Sequence, residues 1–123
     1  MEISYAFGFD AAHRFDAFPQ GHPYSGVHGH SFQVEVALVG EPDAATGFIS
    51  DLGEVERECR RVRDALDHRM LNDVEGLAQP SLENISVWIW NFLSPRFGNL
   101  ARVTVRRDSA GQSCSYTGGR KGK

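Results

Sequence analysis

His28-Gly-His-Ser-Phe-Gln-Val-Glu-Val-Ala-Leu38 sets apolar residues at Phe32, Val34, Val36 and Leu38, with Gln33, Glu35 and Ala37 between them. Successive side chains leave a strand on opposite faces, so this alternation predicts a half-buried β-strand. His28 and His30 share the parity of Phe32, and both imidazoles should therefore point to the apolar face as the chain enters the strand. Upstream, Ile3, Tyr5, Phe7, Phe9, Ala11 and His13 form a second period-two row with His13 at its inner end. If the two strands pair, three imidazoles converge. Zinc takes imidazole nitrogens at about 2.0–2.1 Å, and three protein ligands leave a fourth position for water or substrate. Nickel, copper and iron accept imidazole too, so the spacing alone does not choose the metal.

Downstream, Gly40-Glu-Pro-Asp43 reads as a turn. Asp51 followed by Glu54 resembles a capping box, and Leu52, Val55, Cys59, Val62 and Leu66 continue at helical spacing for about four turns. A second helix starts after Pro80 with Ser81 as N-cap, and its apolar stripe is Ile85, Trp88, Ile89, Phe92 and Leu93. Val103 and Val105 mark a third strand, residues 108–112 a turn, and residues 113–118 a fourth strand. The order ββααββ predicts an α+β fold, with a four-stranded antiparallel sheet covered on one face by two helices inserted between strands 2 and 3. One domain over residues 1–118 and a flexible tail over 119–123 complete the expected organisation.

The chain has 123 residues and a mass of 13.6 kDa, which fits one domain and excludes a two-domain enzyme. Hydrophobic residues make up 41% and charged residues 24%, enough apolar material for a core. A domain of this length buries only roughly two-thirds of its unfolded surface. A deep cavity would consume core, so a site between subunits is expected, and pairing of exposed sheet edges in a closed homo-oligomer would serve the same end. Thirteen basic against sixteen acidic residues give a formal charge of −3. Arg60, Arg61 and Arg63 lie among acidic neighbours as on a solvated helix face, so no nucleic-acid partner is expected. No apolar run approaches the roughly 18 residues of a membrane span. Cys59 and Cys114 lack metal or redox spacing, and a reducing cytoplasm is the expected compartment.

Asp67-His68 is a further candidate, because a carboxylate beside an imidazole fixes its tautomer and raises its basicity for proton transfer. The alternative is a histidine interacting with a helix C-terminus beside a surface aspartate. His22, next to Pro23, reads as a surface histidine.

Phe9-Asp-Ala-Ala-His-Arg14, His28-Gly-His-Ser-Phe32, Thr46-Gly-Phe-Ile-Ser-Asp51, Leu66-Asp-His-Arg-Met-Leu-Asn72 and Pro80-Ser-Leu-Glu-Asn84 occur in this order. Together they resemble the 6-pyruvoyltetrahydropterin synthase and 6-carboxytetrahydropterin synthase family over nearly the whole chain. The resemblance implies a T-fold and a zinc-dependent carbon–oxygen lyase acting on 7,8-dihydroneopterin triphosphate. In bacteria the usual product is 6-carboxytetrahydropterin, on the route to queuosine, with loss of acetaldehyde. It implies His13, His28 and His30 as zinc ligands, Asp67 and His68 as members of a proton-transfer triad, and Glu83 as an acidic residue of the pterin pocket. It also implies homohexamers built as dimers of trimers, with sites at subunit interfaces.

Two departures qualify the resemblance. The family's catalytic cysteine, four residues before His28, is replaced by Tyr24, and Tyr24 or Ser25 would act as a base only with help, since a phenol titrates near pKa 10. The family's pterin-anchoring glutamate on the third strand is replaced by Arg107 if parity runs on from Val103 and Val105, or by Asp108 if it is counted back from Tyr116. Two other readings follow: a diverged zinc-binding T-fold with a different substrate, such as another lyase, an aldolase or a hydrolase, and a non-catalytic pterin-binding protein.

Overall fold

A computed structural model describes residues 1–19, 21–22 and 25–119. Strands β1 (Glu2–His13), β2 (His28–Val39), β3 (Leu100–Arg107) and β4 (Gln112–Tyr116) form one antiparallel sheet in the order β1-β2-β3-β4. Helices α1 (Leu52–Leu66) and α2 (Leu82–Leu93) lie between β2 and β3 in sequence, giving the ββααββ order expected. β2 is longer than the alternation alone marked, and β4 ends at Tyr116 rather than Gly118. Of the expected tail, only Gly119 lies within the described residues.

The register makes the alternation structural. Phe9 faces Phe32, Val34 faces Val105 and Val36 faces Val103 across neighbouring strands. These residues, with Leu38, form the inner face of the sheet and are almost fully buried. Val55, Cys59, Val62 and Leu66 of α1 and Ile85, Ile89 and Leu93 of α2 are buried in the same core. Asp51 caps α1 by accepting from Gly53 N–H at 2.9 Å, and Ser81 caps α2 by accepting from Asn84 N–H at 3.1 Å. Such a cap is worth about 1 kcal/mol.

Two stripe assignments change. Leu52 is 46% exposed, and the buried stripe of α1 starts one turn later at Val55. Trp88 and Phe92 are only partly buried and stack on each other, with Trp88 Nε1 donating to the Glu75 carbonyl at 3.0 Å. An amphipathic aromatic lies readily at the rim of a core with its polar atom satisfied.

The chain between the helices positions the site. Ala12 N–H donates to the Arg69 carbonyl at 3.0 Å, and Ala12 and Met70 form a parallel bridge on the outer edge of β1. Asn72 then clamps the Arg14 backbone, accepting from its N–H and donating to its carbonyl, both at 3.0 Å. No helix of the described residues is long and apolar enough to cross a membrane.

Candidate metal centre and its flanking cavities

Pairing of β1 with β2 sets His13 opposite His28 and Ala11 opposite His30, so the period-two pattern delivers three imidazoles to one end of the inner face. Their ring centroids lie 4.6, 5.0 and 4.9 Å apart in pairs, and one nitrogen from each falls within 4.8 Å of the others. Phe32 closes the site from beneath, edge-on to His13 and His30.

Backbone carbonyls fix two of the tautomers. His13 Nδ1 donates to the Pro80 carbonyl at 2.9 Å, and His28 Nδ1 donates to the Gly26 carbonyl at 2.8 Å. Each bond keeps the proton on Nδ1 and leaves the Nε2 lone pair for the site, the usual support of a ligating histidine. His13 is 1% exposed, and its buried Nε2 has no hydrogen-bond partner among the described residues. Burial pushes the His13 imidazole down to about 4; the bond to Pro80 opposes this, and His28, His30 and Arg107 add to it. Burial, then Arg107 and His28, also lowers His30. Two imidazoles, His13 and His30, shifted toward the neutral form, with a buried His13 nitrogen lacking a protein donor, fit a metal ion. The triad can hold one.

Asp67 and His68 leave the end of α1 against β1. Asp67 Oδ1 accepts from Asp10 N–H at 2.9 Å, and its Oδ2 lies 2.9 Å from His68 Nδ1 and 3.3 Å from Arg63 Nη2. The Asp10 N–H holds the Asp67 carboxyl below its ordinary range, helped by His68 and Arg63 and opposed by desolvation. His68 N–H donates to the Asp10 carbonyl at 2.6 Å, and the residue adopts φ +58°, an uncommon left-handed conformation for a side chain of this size. Its side chain is 79% exposed. His68 and His30 line a common cavity of about 610 Å³ with Asp10, Ser31 and Met70. Of the alternative, a histidine at the helix end beside a surface aspartate, the exposed His68 keeps the surface character, whereas the Asp67 side chain is only 13% exposed.

A second cavity, of about 560 Å³, is lined by Glu83, Arg107, Gln112, Phe15 and Phe18. Arg107 continues the inner parity of Val103 and Val105, pairs with Gln112 across the β3–β4 turn, and brings Nη1 to 3.3 Å from His30 Nε2. Asp108 instead joins a short helical turn over Asp108–Ala110 and accepts from Arg106 Nε at 3.0 Å, with its side chain 63% exposed. The count back from Tyr116 does not hold in the structure: of the two alternatives, Arg107 lines this cavity and Asp108 does not.

Tyr24 lies outside the described residues. Ser25 Oγ donates to the His22 carbonyl at 2.8 Å. His22 is not a plain surface histidine, being half-buried and stacked on Phe18 with ring centroids 4.1 Å apart. Neither thiol lines the two cavities. Cys59 is in the core, where burial and Glu58 push it up to about 12, and Cys114 lies 3.7 Å from Ser86 Oγ. Sequence reasoning passed over Asp10, Pro80 and Gln112. Asp10 stood in a recognised motif, but its role is carried by its backbone, which residue type does not reveal.

The family profile described as 6-pyruvoyl tetrahydropterin synthase matches residues 2–119. A provisionally named 6-carboxy-5,6,7,8-tetrahydropterin synthase of Archaeoglobus fulgidus is 35% identical over 106 residues, which are 85% of this chain and 86% of that protein. The dihydroneopterin monophosphate aldolase of Pyrococcus furiosus is 34% identical over 87 residues, 71% of this chain and 69% of that protein. The solved 6-pyruvoyl tetrahydropterin synthase of Caenorhabditis elegans superposes with a TM-score of 0.86 at 27% identity, covering 97% of this chain and 96% of that one. The T-fold expected from the motifs is the fold observed.

Proposed function

This chain belongs to the 6-pyruvoyl tetrahydropterin synthase family, and from that premise we propose that it is a zinc-dependent lyase of the 6-carboxytetrahydropterin synthase type acting on 7,8-dihydroneopterin triphosphate. The observation that carries the reading is the convergence of His13, His28 and His30 on one point, with His68, paired to Asp67, lining a cavity shared with His30. His13, His28 and His30 would hold the zinc. Bound there, the metal would polarise the substrate's side-chain hydroxyls and acidify the adjoining carbon.

The remaining work falls to the chain's own side chains. Asp67, charged and bonded to His68 Nδ1, leaves His68 Nε2 as the basic atom that takes and returns a proton at the substrate's side chain. Glu83 accepts from the pterin's amino and ring N–H groups, while Arg107, which has only donors, meets a ring acceptor. Tyr24 stands where the family has its cysteine and is the residue proposed to replace it. His68, open to solvent on one side, suits a site completed at a subunit interface, as a homohexamer would provide. The two free cysteines fit a reducing cytoplasm.

A second reading is favoured by the lack of a thiol lining either cavity. Aldol cleavage between C1′ and C2′ of a dihydroneopterin phosphate needs a proton removed from a hydroxyl and one supplied to C1′, both within the reach of one imidazole. The likeness to a dihydroneopterin monophosphate aldolase points the same way.

Anaerobic incubation of the zinc-loaded protein with 7,8-dihydroneopterin triphosphate and with the monophosphate, followed by mass analysis, separates the readings. Acetaldehyde with 6-carboxytetrahydropterin supports the first. A 6-hydroxymethyl pterin with glycolaldehyde phosphate from the monophosphate supports the second. No turnover of either, at full zinc content, overturns both.

A further inference from the structure

Arg107 joins the two cavities. Its Nη1 lies 3.3 Å from His30 Nε2, and its Nη2 donates to Gln112 Oε1 at 2.6 Å, while the same guanidinium lines the cavity that holds Glu83. A guanidinium carries donors only and stays charged, so His30 Nε2 accepts from it through its lone pair. A lone pair that accepts this bond is not free for a metal ion. Whichever nitrogen of His30 faces the ion, repulsion between two cations at such separation remains. A ligand oxygen placed beside Arg107 in the second cavity would accept the same donors and draw the guanidinium from the imidazole.

We propose that Arg107 couples the triad to this cavity: the guanidinium opposes a metal ion at His30, and an acceptor oxygen of a ligand draws it away, so that metal and ligand strengthen each other's binding. By linkage the coupling is reciprocal, each raising the other's affinity by the same factor. Gln112 is a positioning residue, because its carbonyl oxygen holds the second amino group of the fork. The ligand class is one with a carbonyl or anionic oxygen at that edge, from a ring carbonyl or from a free oxyanion. The inference rests on the metal reading of the triad and is independent of the chemistry performed there.

The test is zinc affinity, measured by competition with a chromophoric chelator, for the wild-type protein, Arg107→Met and Gln112→Ala. Circular dichroism and melting are recorded on each to establish folding. Arg107→Met keeps the aliphatic stem and is expected to bind zinc about tenfold more tightly, a factor in the ordinary range for coupled sites. Gln112→Ala should fall between it and wild type. Either variant, folded, is enough to judge the proposal. Adding 6-methylpterin, which has the ring carbonyl and no side-chain diol, or sulfate as a free oxyanion, should tighten zinc in wild type and leave Arg107→Met unchanged. The probe that acts identifies the source of the oxygen. Equal or weaker zinc binding by both variants, no response to either probe, or equal tightening in wild type and Arg107→Met would overturn the coupling. Failure of wild type to bind zinc at all would overturn the metal reading and the coupling with it.

Discussion

The Nδ1 of His13 lies 2.9 Å from the carbonyl oxygen of Pro80, a residue 67 positions later in the chain. One hydrogen bond thus ties the end of β1 to the start of the segment that carries Ser81 and Glu83, and it fixes the imidazole's tautomer in the same contact. The triad and one wall of the second cavity thus share a direct contact.

Replacing His13 by Ala removes a buried ligand and the partner of Pro80 together. Zinc affinity should fall by more than about a hundredfold, beyond the 10–100-fold cost of disturbing the residues that merely support a ligand. Dialysis against buffered zinc followed by metal analysis checks this. Retention of one zinc per chain would show that the metal lies elsewhere.

Acid should weaken the metal-free protein through the same residue. The folded imidazole titrates at about 4 against an ordinary 6.5. Above pH 6.5 neither folded nor unfolded chain binds that proton, and stability is at its full value. Between 6.5 and 4 only the unfolded chain takes it up, and stability drops by up to about 3 kcal/mol before levelling. Urea midpoints in chelator from pH 7.5 to 3.5 should show this slope, and His13→Gln should be flatter across the same window. Parallel profiles for the two proteins would count against it.

Asp67→Asn keeps an acceptor for the Asp10 N–H but removes the charge that holds the His68 proton on Nδ1. Turnover should fall by about 10²–10⁴, the range for general acid–base catalysis, with zinc content and melting little changed. Activity and metal measured on one preparation separate this from a structural role. A variant that loses zinc in step with activity would refute it.

Phe32 is wholly buried and packs edge-on under His13 and His30. Phe32→Ala should cost about 3–5 kcal/mol through lost burial and a cavity beneath the triad. Zinc affinity should drop as well, since the rings lose their floor. A variant with unchanged urea midpoint would mean that the core collapses to fill the space.

The strands and the triad were legible because their logic is local: a period of two decides which face His28, His30 and Phe32 share, whatever the rest of the chain does. Arg107 was half legible. Parity along β3 reached it from Val103, whereas the count back from Tyr116 failed because residues 108–110 coil into a helical turn that shifts the phase. The geometry of Asp67 and His68 was not legible, since the left-handed conformation of His68 is held by the Asp10 carbonyl, 58 residues earlier. Trp88 and Phe92 were misplaced for a related reason: helical spacing fixes the centre of a stripe but not how wide a face the neighbouring layer covers.

The docking of Arg69 and Met70 on β1 also limits how the sheet can grow. Backbone groups of Asp10 and Ala12 on the open side of that strand are taken by His68 and Arg69, and the Gly8 carbonyl is taken by Arg63 Nε at 3.1 Å. A strand from another molecule can therefore add only along Glu2 to Ala6, a run of about 17 Å at the usual rise per residue. The blocked portion is the end that carries His13. Any continuous sheet formed through this edge must place its seam at the far end of β1, so a neighbouring subunit that completes the mouth beside His30 and His68 must reach it by another surface.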